Sequence, residues 1–505
     1  MSELAKGTFD LLPENLQHCK VIPMKPRILS TVCFVSLAMV GLYLLSPAES
    51  HRVLSQEQSG EGGQQIGCKT VLDYGARGDG KTDDTAAIQS MVDASVGSLR
   101  FPRGRYRFTK PIVIDLNKVG PTSVSGDGTA TILMEGAGPA FHFIGTHNGT
   151  ASPKTVQPVV WEKERTPMVD GIEIVGKHPE AIGVAATKTM QITITRLVVR
   201  KALHGIHLYE RNRNVAIENC HLYQNGGVGI YLNKLNLHQI NISDSHISYN
   251  KLGGIVVRES EIRNIQIGNC DIEGNMGEET PSTANILFDI TKGSLREGAI
   301  FGCTIQHTNN ALNSANVRFI GNGPEDPRKV GNFAIADNSM SDVAVNIHLK
   351  HARGITITGN TLWQAYEQNL LVEDSSYIVL GANLLDRNPD YRAKTKNANV
   401  FKDCSDCTLS SLNIKSTQGV AAGLILENCE RMNITNCSIR ECENGGVLLN
   451  NVKQSRISDC LITEAATDFA IRVTGGQQNQ VTDNLVSGSV EIDSGTVSTN
   501  NLSLE

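Results

Sequence analysis

The feature that most limits the possible folds of this chain is a short internal repeat. Three copies of one pattern follow one another at intervals of 25 residues: Val215–Leu222, Ile240–Ile247 and Ile265–Ile272. In each copy, two short stretches of alternating apolar residues flank one small or polar residue. That position recurs along the chain, mostly every 22–25 residues, at Thr195, Cys220, Ser245, Cys270, Cys303, Asn338, Asn360, Asn383, Leu412, Cys437, Cys460 and Asn484. A unit this short cannot bury its own apolar face, so the repeat predicts a solenoid of stacked units.

Each unit also contains a third stretch that often begins Gly-Ile-x-Leu, as at residues 205–208 and 229–232. Alternation within all three stretches predicts strands with one buried and one exposed face. Three strands per coil, stacked about 4.8 Å apart, give an all-β solenoid of about a dozen coils. The recurrent small or polar residues then form a ladder at an interior turn, where asparagine can bond the backbone of the next coil.

Composition agrees with strands and turns, and it excludes one class of partner. The chain has 47 glycines and only 5% aromatic residues, which suits short strands and tight turns. The formal net charge is −6, and no tract of lysine and arginine stands out after the N-terminal region. We therefore expect no nucleic-acid partner.

The N-terminal region is predicted to be separate from the solenoid. Residues 28–45 are almost all apolar, follow a basic pair and precede Ser46-Pro47-Ala48, which resembles a signal-peptidase site. Translation from Met24 would make residues 24–48 a signal peptide and leave residues 1–23 untranslated. The alternative is a single membrane anchor through residues 28–45 with a short cytoplasmic tail. Residues 49–67 read as a linker, and residues 68–500 as the solenoid.

Both interpretations place the body outside the cytoplasm, either secreted, periplasmic or at the cell surface, or anchored there by one span. An exported protein can form disulfides. However, Cys220 and Cys270 are separated by a whole coil, so they lie too far apart to pair. Cys437 and Cys460 could pair, although buried thiols fit the ladder. The isolated Cys404-x-x-Cys407 pair lacks the second pair that a zinc site needs.

One segment resembles a known family. Residues 71–89, Val-Leu-Asp-Tyr-Gly-Ala-Arg-Gly-Asp-Gly-Lys-Thr-Asp-Asp-Thr-Ala-Ala-Ile-Gln, resemble the opening of the rhamnogalacturonase/epimerase-like pectate lyase domain. The match continues through Phe101-Pro102 and Ser125-Gly126-Asp127-Gly128. The resemblance implies a single-stranded right-handed parallel β-helix of the pectate-lyase superfamily with a short N-terminal capping helix. In the opening segment, Asp83 or Asp84 would cap that helix near Thr85.

The resemblance specifies the fold better than the chemistry. Polygalacturonase-type hydrolases carry Asn-Thr-Asp-Gly, Asp-Asp, Gly-His-Gly and Arg-Ile-Lys motifs, and the coils contain none of them. The Trp-x-Asp-His run of pectate lyases and the Asp-Pro-His motif of alginate epimerases are also absent. No catalytic residue can therefore be carried over from the family's motifs.

The family does imply where substrate would bind, along the sheet formed by the Gly-Ile-x-Leu strands. The outward positions of these strands are predicted to carry a polar column over seven consecutive coils: His207, Tyr209, Tyr231, Asn233, Arg258, Asp289, Arg318, His348, Lys350 and Glu373. The next coil would contribute Phe401 and Asp403. The unit spacing widens around Asp289 and Arg318, and the extra residues 277–282, 322–328 and 386–392 predict loops that wall the column.

These residue types suit β-elimination from an acidic, uronic-acid-containing polysaccharide, which needs a cation, a base and an acid. Arg258, Arg318 and Lys350 would neutralise the carboxylate. Tyr231, His207 or His348 would move protons. Asp289 or Glu373 would orient these groups or bind calcium, and Tyr209, Asn233 and Glu373 would contact the sugar chain.

Three other functions stay open at this point. A glycoside hydrolase of the rhamnogalacturonase or polygalacturonase type needs two carboxylates about 5–10 Å apart. Asp289 and Glu373, three coils apart, would be separated by about 14 Å, although the loop acids Glu278 or Asp326 could supply one of the pair. The remaining two are a uronate epimerase and a non-catalytic glycan-binding β-helix.

Overall fold

The computed structural model describes residues 69–277, 283–308, 310–311, 313–323, 330–388, 394–464 and 469–504. The predicted N-terminal tail, signal or anchor segment and linker lie outside these residues. In the described part of the chain every named strand pairs in parallel with the equivalent strand one coil away. The structure is therefore an all-β, right-handed parallel β-helix, as the repeat and the family resemblance predict.

The solenoid begins with a capped end. Its helical elements are a 3₁₀ turn at Val71–Tyr74, α-helices at Thr85–Asp93 and Leu116–Val119, a second 3₁₀ turn at Pro153–Thr155 and a π-helical turn at Val160–Glu164. Helix Thr85–Asp93 buries Ile88, Met91 and Val92. These side chains belong to the same core cluster as the coils, so the helix covers the apolar end of the first coil.

Three parallel sheets form the sides of the solenoid, and four long strands bend from the first sheet into the second. We call the sheet of Gly-Ile-x-Leu strands sheet A. It comprises Ile112–Asp115, Gly138–Ile144, Ala181–Met190, His204–Glu218, Val228–Ser243, Gly253–Gly268, Ala284–Phe301, Ala315–Ile320, Val343–Lys350, Ala365–Glu373, Ala398–Lys402, Leu424–Glu427, Gly445–Asn450, Phe469–Thr474 and Ser489–Glu491.

Sheet B follows sheet A in each coil and includes the second halves of the four long strands. Its other strands are Ser98–Arg100, Ser123–Met134, Met168–Gly176, Thr193–Thr195, Val330–Ala336, Arg353–Thr358, Ser376–Leu380, Thr408–Ser410, Asn433–Thr435, Arg456–Ser458, Asn479–Thr482 and Thr496–Thr499.

Sheet C completes each coil, and it shares Ser123–Met134 and Met168–Gly176 with sheet B. Its other strands are Asp79–Asp83, Gly104–Phe108, Val198–Arg200, His221–Tyr223, His246–Ser248, Asp271–Glu273, Thr304–Gln306, Ser339–Ser341, Thr361–Trp363, Leu384–Asp386, Asn413–Lys415, Ser438–Arg440, Leu461–Thr463, Leu485–Val486 and Leu502–Ser503.

The acidic opening segment has structural roles. The Asp84 carboxylate accepts hydrogen bonds from the backbone N–H groups of Arg77 and Gly78, at 2.7 and 3.2 Å. Asp83 accepts the backbone N–H and the hydroxyl of Thr85, at 3.1 and 2.6 Å, at the start of the helix. Asp83 therefore accepts a hydrogen bond from the first backbone N–H of the helix. Asp84 holds the preceding turn in place, in which Gly78 has a φ of +61°.

The corner between sheets B and C holds the predicted ladder. Its members from Cys220 to Asn484 are all at most 5% exposed. The residue just before each member often has positive φ, as in Asn219 (53°), Asp244 (50°), Asn269 (52°) and Asp337 (57°). Asparagine and aspartate tolerate this left-handed conformation, so the Asn-Cys and Asp-Ser pairs of the sequence are the chemical signature of the corner.

One ladder member was predicted incorrectly. Residues Val198 and His221 are paired, so the position equivalent to Cys220 is Leu197 and not Thr195. That coil is two residues shorter than the 25-residue spacing implies. The nine cysteines in the described residues are all buried free thiols, which agrees with a packing role.

The asparagine part of the ladder joins consecutive coils through buried hydrogen bonds. Asn360 donates from Nδ2 to Asn383 Oδ1 and to the carbonyl of Ile335, at 3.0 and 2.9 Å. Its own Oδ1 accepts the backbone N–H and the Nδ2 of Asn338, at 3.0 and 2.9 Å.

We expect Asn360→Ala to lower the free energy of unfolding by at least about 2 kcal/mol, because it leaves buried donors and acceptors unpaired. The matched control is Asn413→Ala, at an exposed position of a sheet C strand. This control should change the free energy of unfolding by less than about 0.5 kcal/mol. Denaturant unfolding followed by circular dichroism measures both. Equal losses in the two variants would contradict the ladder's role.

Candidate functional site

The polar column of sheet A consists of two rows of side chains on the outer face of the strands. In the first row, His207, Tyr231, Val256, Leu287, Arg318, His348 and Leu371 occupy paired positions on successive strands. In the second row, Asn233, Arg258, Asp289, Ile320, Lys350 and Glu373 do the same. Tyr209 lies two residues after His207. The register thus places all ten predicted residues on one face of sheet A.

The following coil departs from the prediction. Val400 pairs with Leu371, and Lys402 pairs with Glu373. Phe401 is fully buried in the core, so the outward residues are Val400 and Lys402 and not Phe401 and Asp403. A shift of one residue exchanges the two faces of a strand. Because a long insertion precedes Ala398, the repeat spacing does not indicate which residues of this strand face outward.

Aromatic rings crowd the first coils of the column. We call His142, His204, His207, Tyr209 and Tyr231 the His–Tyr patch. The rings of His207 and Tyr231 stack, with centroids 5.2 Å apart and planes at 19°. His204 and Tyr231 lie 4.9 Å apart, and His207 and Tyr209 lie 5.0 Å apart. The Tyr209 hydroxyl and the His142 Nε2 are hydrogen-bonded at 2.8 Å.

The histidines of this patch are held neutral. Burial, reinforced by the neighbouring histidine, lowers the pKa of both His204 and His207 to about 4. Burial also lowers the pKa of His142 and raises the pKa of Tyr209. The patch therefore offers neutral imidazoles beside the protonated phenol of Tyr209, a combination that can accept one proton and donate another.

A cavity of 560 Å³ lies a few coils further along sheet A. Its walls are formed by charged, polar and apolar side chains together: Arg258, Leu287, Asp289, Asn313, Arg318, Ile320, Ala344, Val345, His348, Glu367, Gln368 and Leu371. Leu287 and Val345 belong to a small apolar cluster that is separate from the main core. The cavity thus has an apolar floor and charged sides, as ligand sites commonly do.

Arg318 is tied into the cavity wall. Its Nη1 and Nη2 donate to the carbonyls of Thr283 and Asn313, at 2.8 and 2.7 Å, and its Nε donates to His348 Nδ1 at 3.1 Å. Only 5% of Arg318 is exposed. This arginine is bonded to the loop before its own strand and to the loop before the preceding strand, so its main contacts are structural.

His348 and Glu373 are engaged in the same chain of contacts. Because Nδ1 of His348 accepts from Arg318, its Nε2 donates to Glu373 Oε2, at 2.9 Å. Burial, followed by the positive charge of Arg318, lowers the pKa of His348. Both ring nitrogens are occupied, so His348 is a positioning residue here and not a free base.

The remaining charged residues of the column are more available. Arg258 Nε lies 3.6 Å from Asp289 Oδ2, and Lys350 Nζ lies 3.9 Å from Glu373 Oε2. The side chains of Arg258 and Lys350 are 39% and 37% exposed. These two cations can therefore reach a ligand without losing a close internal hydrogen bond.

Several site residues were missed by the sequence analysis. His142 is paired with Ala185, and Ala185 is paired with His207, so His142 lies two coils before the point where the predicted column began. His204 was missed because it is the first residue of its strand, and the outward positions predicted for that strand begin at His207. Glu367 and Gln368 precede a shift in register within strand Ala365–Glu373, so strict alternation did not indicate that they line the cavity.

The described residues contain no group of three or more His, Cys, Asp or Glu side chains arranged to hold a metal ion. Asp289 and Glu373, the two residues considered for calcium, lie in separate coils beside Arg258 and Lys350. The candidate loop acids Glu278 and Asp326 are outside the described residues. Residues 277, 322–323 and 386–388 are the only described parts of the three predicted wall segments.

The fold and the arrangement of the coils define the class of protein, a right-handed parallel β-helix. Two family models each match a part of the chain. Residues 69–293 match the model of the family described as rhamnogalacturonase A/epimerase, pectate lyase-like. Residues 298–503 match the model of the family described as periplasmic copper-binding protein (NosD). In the described part of that second region, no group of three or more His, Cys, Asp or Glu side chains is arranged to hold a metal ion.

Solved β-helix structures resemble the chain at low sequence identity. An A-module of a mannuronan C-5 epimerase from Azotobacter vinelandii is 14% identical, with 86% of this chain and 99% of that chain covered and a TM-score of 0.38. The tailspike gp61 of Pseudomonas phage phi297 is 12% identical, with coverage of 83% and 80% and a TM-score of 0.45. A search of curated proteins finds no match. Among the described helices, none has the length and apolar character needed to cross a membrane.

The contrast between Arg318 and Arg258 gives a prediction about stability. We expect Arg318→Gln to lower the free energy of unfolding by about 3 kcal/mol, because a buried guanidinium and its three hydrogen bonds are lost. Arg258→Gln, on the same sheet but partly exposed, should cost less than about 1 kcal/mol. Denaturant unfolding of the two variants measures the difference, and similar values would show that Arg318 is not a structural anchor.

Proposed function

We propose that the protein acts on an acidic polysaccharide that lies along sheet A, and that it breaks the chain by β-elimination. The observation that carries this proposal is the juxtaposition of His207, Tyr231 and Arg258 on three successive strands. The name of the matching family, which includes a rhamnogalacturonase and an epimerase, supports a carbohydrate as the substrate class. Coils about 4.8 Å apart approximate the length of one sugar unit, so several coils would hold several sugars.

Each group has a definite role in the proposed reaction. Arg258 pairs with the uronate carboxylate and stabilises the negative charge that develops when the neighbouring C–H bond breaks. Neutral His207 accepts that proton. The electron pair forms a carbon–carbon double bond as the glycosidic C–O bond breaks, and the Tyr231 hydroxyl donates a proton to the leaving oxygen.

The other predicted residues support this arrangement from neighbouring coils. Lys350 offers a second partner for a carboxylate further along the chain, while Tyr209 and Asn233 lie beside the proposed reaction centre. Arg318, His348 and Glu373 hold the cavity wall through their mutual hydrogen bonds. Asp289 orients Arg258 through the ion pair.

Hydrolysis is less well supported. Asp289 and Glu373 are separated by three strand steps in the second row, a distance of about 14 Å. That exceeds the separation of about 5–10 Å at which paired carboxylates act in glycosidases. A uronate epimerase shares the first step, the removal of the proton beside the carboxylate. It differs in the second step, in which the same carbon regains a proton on its opposite face and the glycosidic bond stays intact.

The proposal also places the site outside the cytoplasm. Residues 24–48 would serve as a signal peptide or residues 28–45 as an anchor, and an acidic polysaccharide is a substrate of the cell surface or its surroundings. The second matching family is described as periplasmic, which agrees with this location.

Activity on polygalacturonate, rhamnogalacturonan and alginate, with and without calcium, tests the reaction. Elimination produces unsaturated ends that absorb ultraviolet light, and we expect this absorbance to rise with at least one substrate. Reducing ends without the absorbance would indicate hydrolysis instead. Deuterium uptake from heavy water without cleavage would indicate epimerisation, and no product with any substrate would contradict the enzyme proposal.

Substitutions on sheet A test the assigned roles on whichever substrate reacts. We expect His207→Gln and Arg258→Gln each to lower kcat/KM by about 100-fold or more, because each removes a group needed in the transition state. The control is Arg456→Gln, an exposed arginine on sheet B, which should leave kcat/KM within about twofold of the parent. Equal losses in all three variants would contradict the assignment.

The pH profile provides a further prediction. The pKa of His207 is lowered from 6.5 to about 4, so the imidazole stays unprotonated until the pH approaches 4. We therefore expect kcat/KM to remain on a plateau as the pH falls below 6.5 and to decline only near pH 4. A decline centred on the ordinary histidine value of 6.5 would show that His207 is not the base.

A further inference from the structure

A second set of basic side chains lies outside sheet A. Arg213, His238, Arg263 and Arg296 occupy paired positions on four successive strands, in the part that belongs to sheet B. We call these four residues the basic column. Neighbouring members are one coil apart, about 4.8 Å along the solenoid. Three of the four side chains are arginines, so an anion that lies along the column would be stabilised by their positive charge.

A loop borders one end of the basic column. Arg213 donates from Nη1 and Nη2 to the carbonyls of Thr150 and Ala151, at 2.8 and 2.6 Å, so it holds this loop against sheet B. His147, in the same loop, is 1% exposed. Burial, together with the charges of Arg211 and Arg213, lowers its pKa to about 4. The loop and the column therefore form one recessed edge that combines arginine side chains with the neutral imidazole of His147.

Several nitrogen atoms along this edge are buried and lack a hydrogen-bond partner. They are Nδ1 and Nε2 of His147, Nε of Arg213, Nδ1 of His238 and Nε of Arg296. An unpaired buried polar atom costs about 1–3 kcal/mol, and native proteins rarely leave several together. Such a concentration is the expected property of a surface that is completed by a ligand.

Few carboxylates oppose these charges. Glu261 lies 3.8 Å from Arg263 and also accepts a hydrogen bond from the Ser294 hydroxyl. Glu297 raises the pKa of His238, but burial and the charges of Arg213, Arg211 and Arg263 outweigh it and the pKa is lowered. With Arg211 beside the column, four arginines thus face two glutamates.

We propose that the basic column, with His147 at its end, binds a second acidic polysaccharide segment through the carboxylate or sulfate groups of the sugar chain. Arg213, Arg263 and Arg296 lie in one row along the solenoid axis, so they can pair with the charged groups of a polymer that runs parallel to that axis. The side chains are recessed, with 30% of Arg263 exposed, so they suit a single narrow chain better than a flat membrane. This site lies on a different sheet from the proposed reaction centre and acts by binding alone.

The test is calorimetric titration with two probes, an oligogalacturonate and a sulfated dextran, which distinguish carboxylate from sulfate. The parent for this test is Arg258→Gln with Lys350→Gln, so that binding on sheet A is already weakened. In that parent, Arg263→Gln with Arg296→Gln should weaken the affinity for at least one probe by about tenfold or more. If sheet A binds no polysaccharide, the titration still reports on the basic column.

The matched control is Arg440→Gln with Arg456→Gln, which removes the same charge from exposed positions outside the column. This pair should change the affinity by less than about twofold. Replacing Arg263 and Arg296 with lysine keeps the charge but removes the planar donor pair, and it should give an intermediate affinity. Unchanged binding in the glutamine double variant, an equal loss in the control, or no binding of either probe to the parent would overturn the proposal.

Discussion

The structure depends on the in-register stacking of one coil on the next. Every strand in the described residues bonds to its equivalents on neighbouring coils, and the corner between sheets B and C is held by a buried ladder. Asn338, Asn360 and Asn383 bond both to one another and to backbone carbonyls of the preceding coil. This register is what converts residues more than 20 positions apart in the sequence into neighbours about 4.8 Å apart on one surface.

The stacking also explains how functional groups are arranged. A fixed register turns each outward position into a row that runs along the solenoid, so polar residues accumulate on lines and not in isolated pockets. Sheet A combines an aromatic patch, where histidines are held neutral, with a cavity whose arginine is locked by loop carbonyls. Sheet B carries a line of basic groups with unpaired nitrogen atoms. One scaffold therefore presents two surfaces with different chemistry.

Much of this could be predicted from the sequence because the repeat is regular in the central coils. The family resemblance indicated the sheet, and alternation and spacing identified its ten column residues from His207 to Glu373. The register confirms that they share one face. Errors arose where the coil length changes. Thr195 was assigned to the ladder instead of Leu197 because that coil is shorter than its neighbours. Phe401 was assigned to the outer face of sheet A because a long insertion precedes its strand. Hydrogen bonds such as that between Arg318 and His348 depend on side-chain conformation, which spacing does not specify.

The central claim is that sheet A holds a polysaccharide chain between the His–Tyr patch and the cavity lined by Arg258. The most direct test is a crystal structure of the His207→Gln variant with an acidic oligosaccharide bound. The account predicts sugar density that follows the solenoid axis along sheet A, with a carboxylate beside Arg258 and a ring near Tyr231. Density confined to another surface, or no density at sheet A when the sugar binds in solution, would contradict it.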